Sequence, residues 1–345
     1  MSTAEYAFMS AYLKGAEAKT VTAAHTGRLS KTASVTDVLD AIKDTDVGKY
    51  LSGMSLKTFD DADAYLWEHF GQCLEALEWL KLMPPEMHRL LSAYRVKFDV
   101  LNTKAALQGI LSGRKASLIP VGAIHSRGLL DELGRAASVS EVRKVLIDSD
   151  LWAYATVLRD YGDDEAKSKL LIETKLDGEY YQSLLNLAKD VEDSFLMTKA
   201  FSIILDLANL QMISRAIIEG ITPQAAELLI GGGYIISDQM AREMLSRKLG
   251  DLPGMLGGTQ YREAAEQIVA NYERTKSVMA VEEVIAKHRF WWLRELLSPR
   301  LMAPMMVVWY LITKEMEVKN LRLILKAAFD NIPIEEIKEY LVLSP

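Results

Sequence analysis

An all-α fold is predicted for this 345-residue chain by three observations: apolar residues recurring at helical spacing, no sustained two-residue alternation, and capping residues ahead of the apolar runs. From the N-terminal end, Ser34 and Thr36 form a capping region before a helix from Asp37 through Ile42. Leu66, Phe70, Cys73, Leu74, Leu77 and Leu80 mark one face of a longer helix that ends near Pro84-Pro85. Ser138-Val-Ser-Glu141 reads as a capping box for Val142 to Ile147, and Pro333-Ile-Glu-Glu336 suits the first turn of a last helix.

A repeat organises these helices. Asp99-Val-Leu-Asn102, Asp206-Leu-Ala-Asn209 and Glu317-Val-Lys-Asn320 each place an acid and an asparagine three apart, and the three copies start roughly 110 residues apart. A hydroxyl residue follows an aliphatic one at nearly the same period, in Ile42-Lys-Asp-Thr45, Leu146-Ile-Asp-Ser149 and Leu256-Gly-Gly-Thr259. Between the two marks lie glycine turns, Val121-Gly-Ala-Ile124 and Gly233-Tyr-Ile235. The sequence opens on the second half of a unit and closes on the first half of one. A linear array would leave raw apolar faces at both ends, so the halves are expected to join. The expected organisation is a single unit of three pseudo-repeated lobes, 57–160, 161–268, and 269–345 combined with 1–56, closed into a funnel or ring with adjacent termini.

Composition narrows the function. Half the residues are apolar and a quarter charged, which excludes a disordered chain, and the net charge of −7 argues against nucleic acid as the main partner. One cysteine, Cys73, allows no internal disulfide and no thiol-based metal knuckle, which fits a reducing cytoplasm. The N-terminal residues lack the pattern of a secretory signal. The longest uncharged apolar stretch, the 13 residues from Leu301 to Thr313, is short of the roughly 20 needed to span a bilayer, so no membrane span is expected.

No catalytic, cofactor-binding or metal-binding residues are predicted. Gly231-Gly-Gly233 lacks the Lys-Ser/Thr of a P-loop and the spacing of a dinucleotide fold, and reads as a flexible turn. The five histidines, His25, His69, His88, His125 and His288, show no metal-ligand spacing and read as surface or core-edge residues. Cys73 lies on an apolar helix face as an inert thiol, and no nucleophile elbow occurs. The acid-x-x-Asn pairs could form a polar ring for a ligand, or each could hydrogen-bond the backbone of a neighbouring turn; the second reading is favoured because no further ligands converge on them. The aromatic and methionine run Phe290-Trp-Trp-Leu293 through Trp309-Tyr310, with Met302, Met305 and Met306, serves either the core or an interface, with the core favoured.

Tyr310-Leu-Ile-Thr-Lys-Glu315-Met-Glu317-Val318-Lys-Asn320-Leu321-Arg322-Leu-Ile324, followed by Ile332-Pro333-Ile-Glu-Glu-Ile337, resembles the C-terminal signature of the C subunits of archaeal and bacterial V/A-type ATP synthases, related to the d subunit of the eukaryotic vacuolar enzyme. Asp206-Leu-Ala-Asn209-Leu210, with Arg215 and Gly231-Gly-Gly233 after it, is similar to the central segment of that family, and Tyr6 to Ala18 with Asp44-Thr45 to its opening. The resemblance implies a non-catalytic, three-lobed helical socket with no small-molecule substrate. It implies as partners the central stalk and the membrane proteolipid ring, and a peripheral place on the cytoplasmic face of the membrane. A helical scaffold of an unrelated assembly is the competing reading, and an enzyme with a site between lobes would need converging titratable groups that the sequence does not show.

Overall fold

The computed structural model describes residues 3–29, 33–161, 169–191 and 194–343, and these form helices joined by turns, with no strand among them. Residues 1, 2, 344 and 345, on which the expected adjacency of the termini bears, lie outside that set. The chain divides into two compact units: one from Met1–Asp99, Leu118–Ser126 and Arg300–Pro345, the other from Val100–Ser117 and Arg127–Pro299.

The first unit is built around the Met305–Asp330 helix, which buries side chains on nearly every side, Met305, Trp309, Leu311, Leu321 and Leu325 among them. A helix that buries nearly every side must be wrapped by others. Among the described residues, Phe59–Glu78, Thr3–Glu17, Val35–Ile42 and Ile334–Ile337 contribute to the wrapping, and Tyr94 and Lys97 of Pro85–Ser112 reach Glu315. The Phe59–Glu78 and Pro85–Ser112 helices also bring Trp67, Phe70, Tyr94 and Phe98 together, with ring centroids 5.2 to 6.0 Å apart, the separation at which tilted and edge-on aromatic pairs attract.

Capping follows the sequence closely. Ser34, Thr45, Thr58, Ser138 and Ser237 each accept a hydrogen bond from the third backbone N–H of the helix that follows, satisfying a donor that no helical carbonyl reaches. The capping box expected at Ser138 is displaced: Glu141 reaches back to the N–H of Ala137, one residue earlier. The helix expected to end near the prolines stops at Glu78 instead, and Pro85 opens the next one. Proline is tolerated in a first turn because its missing N–H would be unpaired there, so here it marks a start and not the preceding stop.

In the second unit the Ser194–Glu219 helix occupies the centre, packed by Lys169–Ala188, Asp238–Leu245 and Met279–Leu297, while Arg262–Thr275 lies along the last of these. Its core includes Leu207, Leu210, Ile213, Met244, Leu256, Tyr261 and Ile285. Ser194–Glu219 is long and apolar enough to cross a membrane by length and composition alone. Its most apolar window is 72% buried inside the structure, as in the core helix of a folded unit. Asp206 and Asn209 interrupt its apolar run, and both are buried.

Candidate functional site

The acid and asparagine pairs sit on the longest helices, and the structure shows what all three acids, Asn209 and Asn320 hold. Asp206 is fully buried; its Oδ2 accepts the Ile235 N–H at 2.7 Å and its Oδ1 the Ile236 N–H at 3.0 Å. The Tyr261 hydroxyl donates to the same carboxylate at 2.7 Å. One helical turn along, Asn209 clasps Ile230 through both of its backbone groups, donating to the carbonyl at 2.8 Å and accepting the N–H at 3.0 Å. A side-chain amide has one donor and one acceptor side, so it replaces a backbone partner for a residue in an irregular turn.

Asp99 repeats the motif in the first unit, accepting the N–H groups of Ala123 and Ile124, both at 2.9 Å. Asn102 is buried one turn on. In the third copy Glu317 accepts the Val21 N–H at 2.7 Å, and Asn320 donates to the Val342 carbonyl at 2.7 Å while accepting its N–H at 2.9 Å. The Lys314 ammonium, itself buried, pairs with the other oxygen of Glu317. Thus segments near residues 21 and 342 complete one clamp on one helix.

Glycine accompanies the two aspartates. A Cβ on Gly122 would stand 2.3 Å from Asp99 Oδ1, and one on Gly233 would stand 2.1 Å from Asp206 Oδ1. Gly122 also holds φ at +109°, which L side chains rarely adopt. The Gly231–Gly233 segment is therefore no slack linker: the acid below it requires a bare backbone, and Asn209 fixes its leading edge.

The hydroxyl marks are less uniform. Thr45 donates to the Ile42 carbonyl at 2.6 Å and accepts the Gly48 N–H at 3.0 Å, so it caps the Asp46–Leu51 helix. Thr259 donates to Leu256 at 2.8 Å and accepts from Tyr261 at 3.2 Å, setting the turn that presents the Tyr261 ring to Asp206. Ser149 is buried after Val139–Asp148, with its hydroxyl unbonded among the described residues. Arg322 grips both oxygens of Asp63, its Nη2 at 3.1 Å from one of them, with the guanidinium 5.7 Å above the centre of the Trp67 ring.

Burial dominates the electrostatics. It pushes the Asp99 carboxyl up to about 6 against the opposing pull of the Ile124 and Ala123 N–H groups and of Arg95. Burial likewise raises Asp206, although Tyr261 and the turn amides oppose it. Glu315 behaves differently: burial pushes its carboxyl up, but Lys319 and Lys97, at 2.7 and 2.6 Å, outweigh this and hold it well below the usual carboxylate range. Lys314 is pulled down by burial and raised overall by Glu317 and Cys73. Sequence spacing alone did not single out Glu315; its signal was Lys319 four positions on in the same helix.

Two histidines depart from expectation. His69 and His288 are buried, because each faces inward on a helix packed along its length. Cys73 Sγ lies 3.7 Å from His69 Nε2, a pairing that could suggest a nucleophile. The protonation states argue otherwise: burial raises the thiol and pulls the imidazole down to about 4, so at neutral pH both are uncharged and no thiolate–imidazolium pair forms. Among the described residues no cluster of His, Cys, Asp or Glu is arranged to hold a metal ion. The aromatic and methionine run is largely core, with Phe290, Met305, Met306, Trp309 and Tyr310 buried and Met302 exposed.

These polar groups are spent on holding turns to helices, which is the chemistry of a frame. Relatives match along nearly the whole of it. The chain is 25% identical to the C subunit of the A-type ATP synthase of Methanocaldococcus jannaschii, over 98% of this chain and 86% of that one. It is 23% identical to the corresponding A-type ATP synthase protein of Pyrococcus abyssi, over 97% and 89% of the two chains, and 25% identical to that of Methanothermobacter thermautotrophicus, over 92% and 85%. The family model described as ATP synthase (C/AC39) subunit matches residues 9–340, and the chain therefore belongs to that family.

Proposed function

We propose that this protein is the socket of a rotary ATP synthase: three pseudo-repeated helical lobes, 57–160, 161–268, and 269–345 with 1–56, closed into a funnel that receives the central stalk and rests on the proteolipid ring. It is a non-catalytic subunit of the enzyme, and nucleotide chemistry belongs to other subunits. It lies peripherally at the membrane, on the cytoplasmic face in this reading. The observation that carries the closed arrangement is the third clamp, in which Glu317 and Asn320 hold Val21 and Val342, residues from opposite parts of the sequence, one helical turn apart. That is the contact expected if residues 1–56 and 269–345 make one lobe.

A closed array of close-packed helices also suits the transmission of torque, since packed interiors are only slightly compressible and pass strain on. Ala, Met and aromatic surfaces of the funnel hold the stalk mainly by apolar burial, and polar rims set its orientation. Co-purification of the full chain with the central-stalk subunits and with the proteolipid ring tests this directly. Binding to both is the expected result, and failure to bind either removes the coupling role.

A further inference from the structure

The three acid clamps share one chemistry but differ in how their partners are tethered. Asp99 holds N–H groups 24 and 25 residues away in sequence, and Asp206 holds ones 29 and 30 away. A released turn in either place stays near its acid, because a short connection keeps its effective concentration high. Glu317 holds an N–H 296 residues away, on the segment that carries the Thr3–Glu17 helix. We propose that residues 3–22 form a strap that opens and closes on the Met305–Asp330 helix, with Glu317 as its clasp.

The helix of the strap is buried on one side, and Thr20 and Val21 after it are buried as well. Tyr6, Met9 and Leu13 are the buried side chains of its helix, a single narrow stripe. Ala4, Ala7, Phe8, Ala11, Tyr12 and Ala18 face outward. Apart from Val21, its polar fastenings include Trp309 Nε1 to Glu17 Oε1 at 2.9 Å, the Tyr6 hydroxyl to Glu86 at 3.1 Å, and the Asp46 N–H to the Lys19 carbonyl at 3.2 Å. By contrast, the Met305–Asp330 helix beneath is buried along its whole length. Segments with few buried apolar contacts open locally without unfolding their surroundings.

The clasp is built to survive opening. When the Val21 N–H leaves, Glu317 keeps the Lys314 ammonium, so release strands neither charge in the interior. The strap pivots where Thr22 begins the Ala23–Thr26 turn, whose hydroxyl and N–H are tied locally to His25. This inference concerns the first unit alone and does not depend on what the funnel binds.

Native-state hydrogen exchange on the full chain tests the strap. The amides of residues 9–13 and of Val21 are expected to exchange at least about tenfold faster than those of Ile235 and Ile236, which the tethered Asp206 clamp holds. Trp309→Phe, which removes the donor to Glu17 together with part of the buried indole, is expected to speed the strap about tenfold more while leaving Ile235 and Ile236 unchanged. Glu317→Gln is expected to act in the same direction, and the tryptophan variant carries the test should the glutamine variant fail to fold. Strap amides that exchange no faster than the middle of the Met305–Asp330 helix, or a Trp309→Phe effect spread equally over that helix, would overturn the proposal.

Discussion

Replacing Asp206 by alanine tests whether the acid clamps hold the repeat together. The substitution removes the acceptor for three donors: the N–H groups of Ile235 and Ile236, and the Tyr261 hydroxyl, whose residue is fully buried. Each donor left unsatisfied in the interior costs roughly 1–3 kcal/mol. Against this, the folded state no longer bears the burial of a carboxylate, the burial that raises the Asp206 pKa. The net is a loss of about 4 kcal/mol. Asp206→Asn keeps one oxygen but turns an amide donor toward the remaining donors, for a loss of about 2 kcal/mol. Tyr261→Phe alone costs about 1.5 kcal/mol, and a double-mutant cycle with Asp206→Ala should return a coupling of similar size. The chain has two units, so the readout is hydrogen exchange at Ile235 and Ile236, supported by urea denaturation. An Asp206→Ala protein within about 1 kcal/mol of the parent, or strictly additive effects with Tyr261→Phe, refutes the clamp as an energetic element.

Other predictions follow from the same geometry. Gly122→Ala should cost about 3 kcal/mol, since it combines an overpacked contact with Asp99 and a disfavoured φ. Gly113→Ala, at φ +64° with nothing within 4 Å, should cost only about 1 kcal/mol in the same thermal or urea denaturation comparison. The His69 pKa falls from 6.5 to about 4 on folding, first through burial and then through Lys314, so the unfolded chain takes the proton first. Its stabilising contribution is present above pH 6.5 and fades toward pH 4, at up to roughly 1.4 kcal/mol per pH unit. Asp99 runs the other way: its pKa rises from 3.8 to about 6, so its contribution is complete below 3.8 and is lost as pH climbs through 6. Urea midpoints measured from pH 4.5 to 6.5 should therefore show His69→Gln gaining on the parent as pH falls and Asp99→Asn losing. Arg322→Lys surrenders the two-pronged grip on Asp63 and should cost about 1 kcal/mol by thermal denaturation, whereas a purely Coulombic pair would tolerate it.

Much of the frame is legible in the sequence because its signals are local. Ser34, Ser138 and the Pro333 turn announce helix starts, since a cap is decided within four residues. The repeat is legible because acid and asparagine recur at one period, and a residue spacing survives without knowledge of its partner. What they hold was not legible. Nothing near Asp206 in sequence names Ile235, Ile236 or Tyr261, although the glycines at 122 and 233, each preceding a held turn, were a usable hint. For His69 and His288, two of the five histidines read as surface or core-edge, a single histidine on an amphipathic helix gives no sign of how far its neighbours cover it. Burial of His69 and His288 depends on helices distant in the chain.

By itself the sequence determined that the chain is helical and that an acid and an asparagine three apart recur along it, because helical period and capping act within a few residues. Only the tertiary structure decided which backbone each acid would hold, that Lys314 and Glu317 could share a dry interior, and that Val21 would complete the third clamp from 296 residues away. Those outcomes depend on which surfaces exclude water from one another. That exclusion is a property of the packed whole, and no window of sequence contains it.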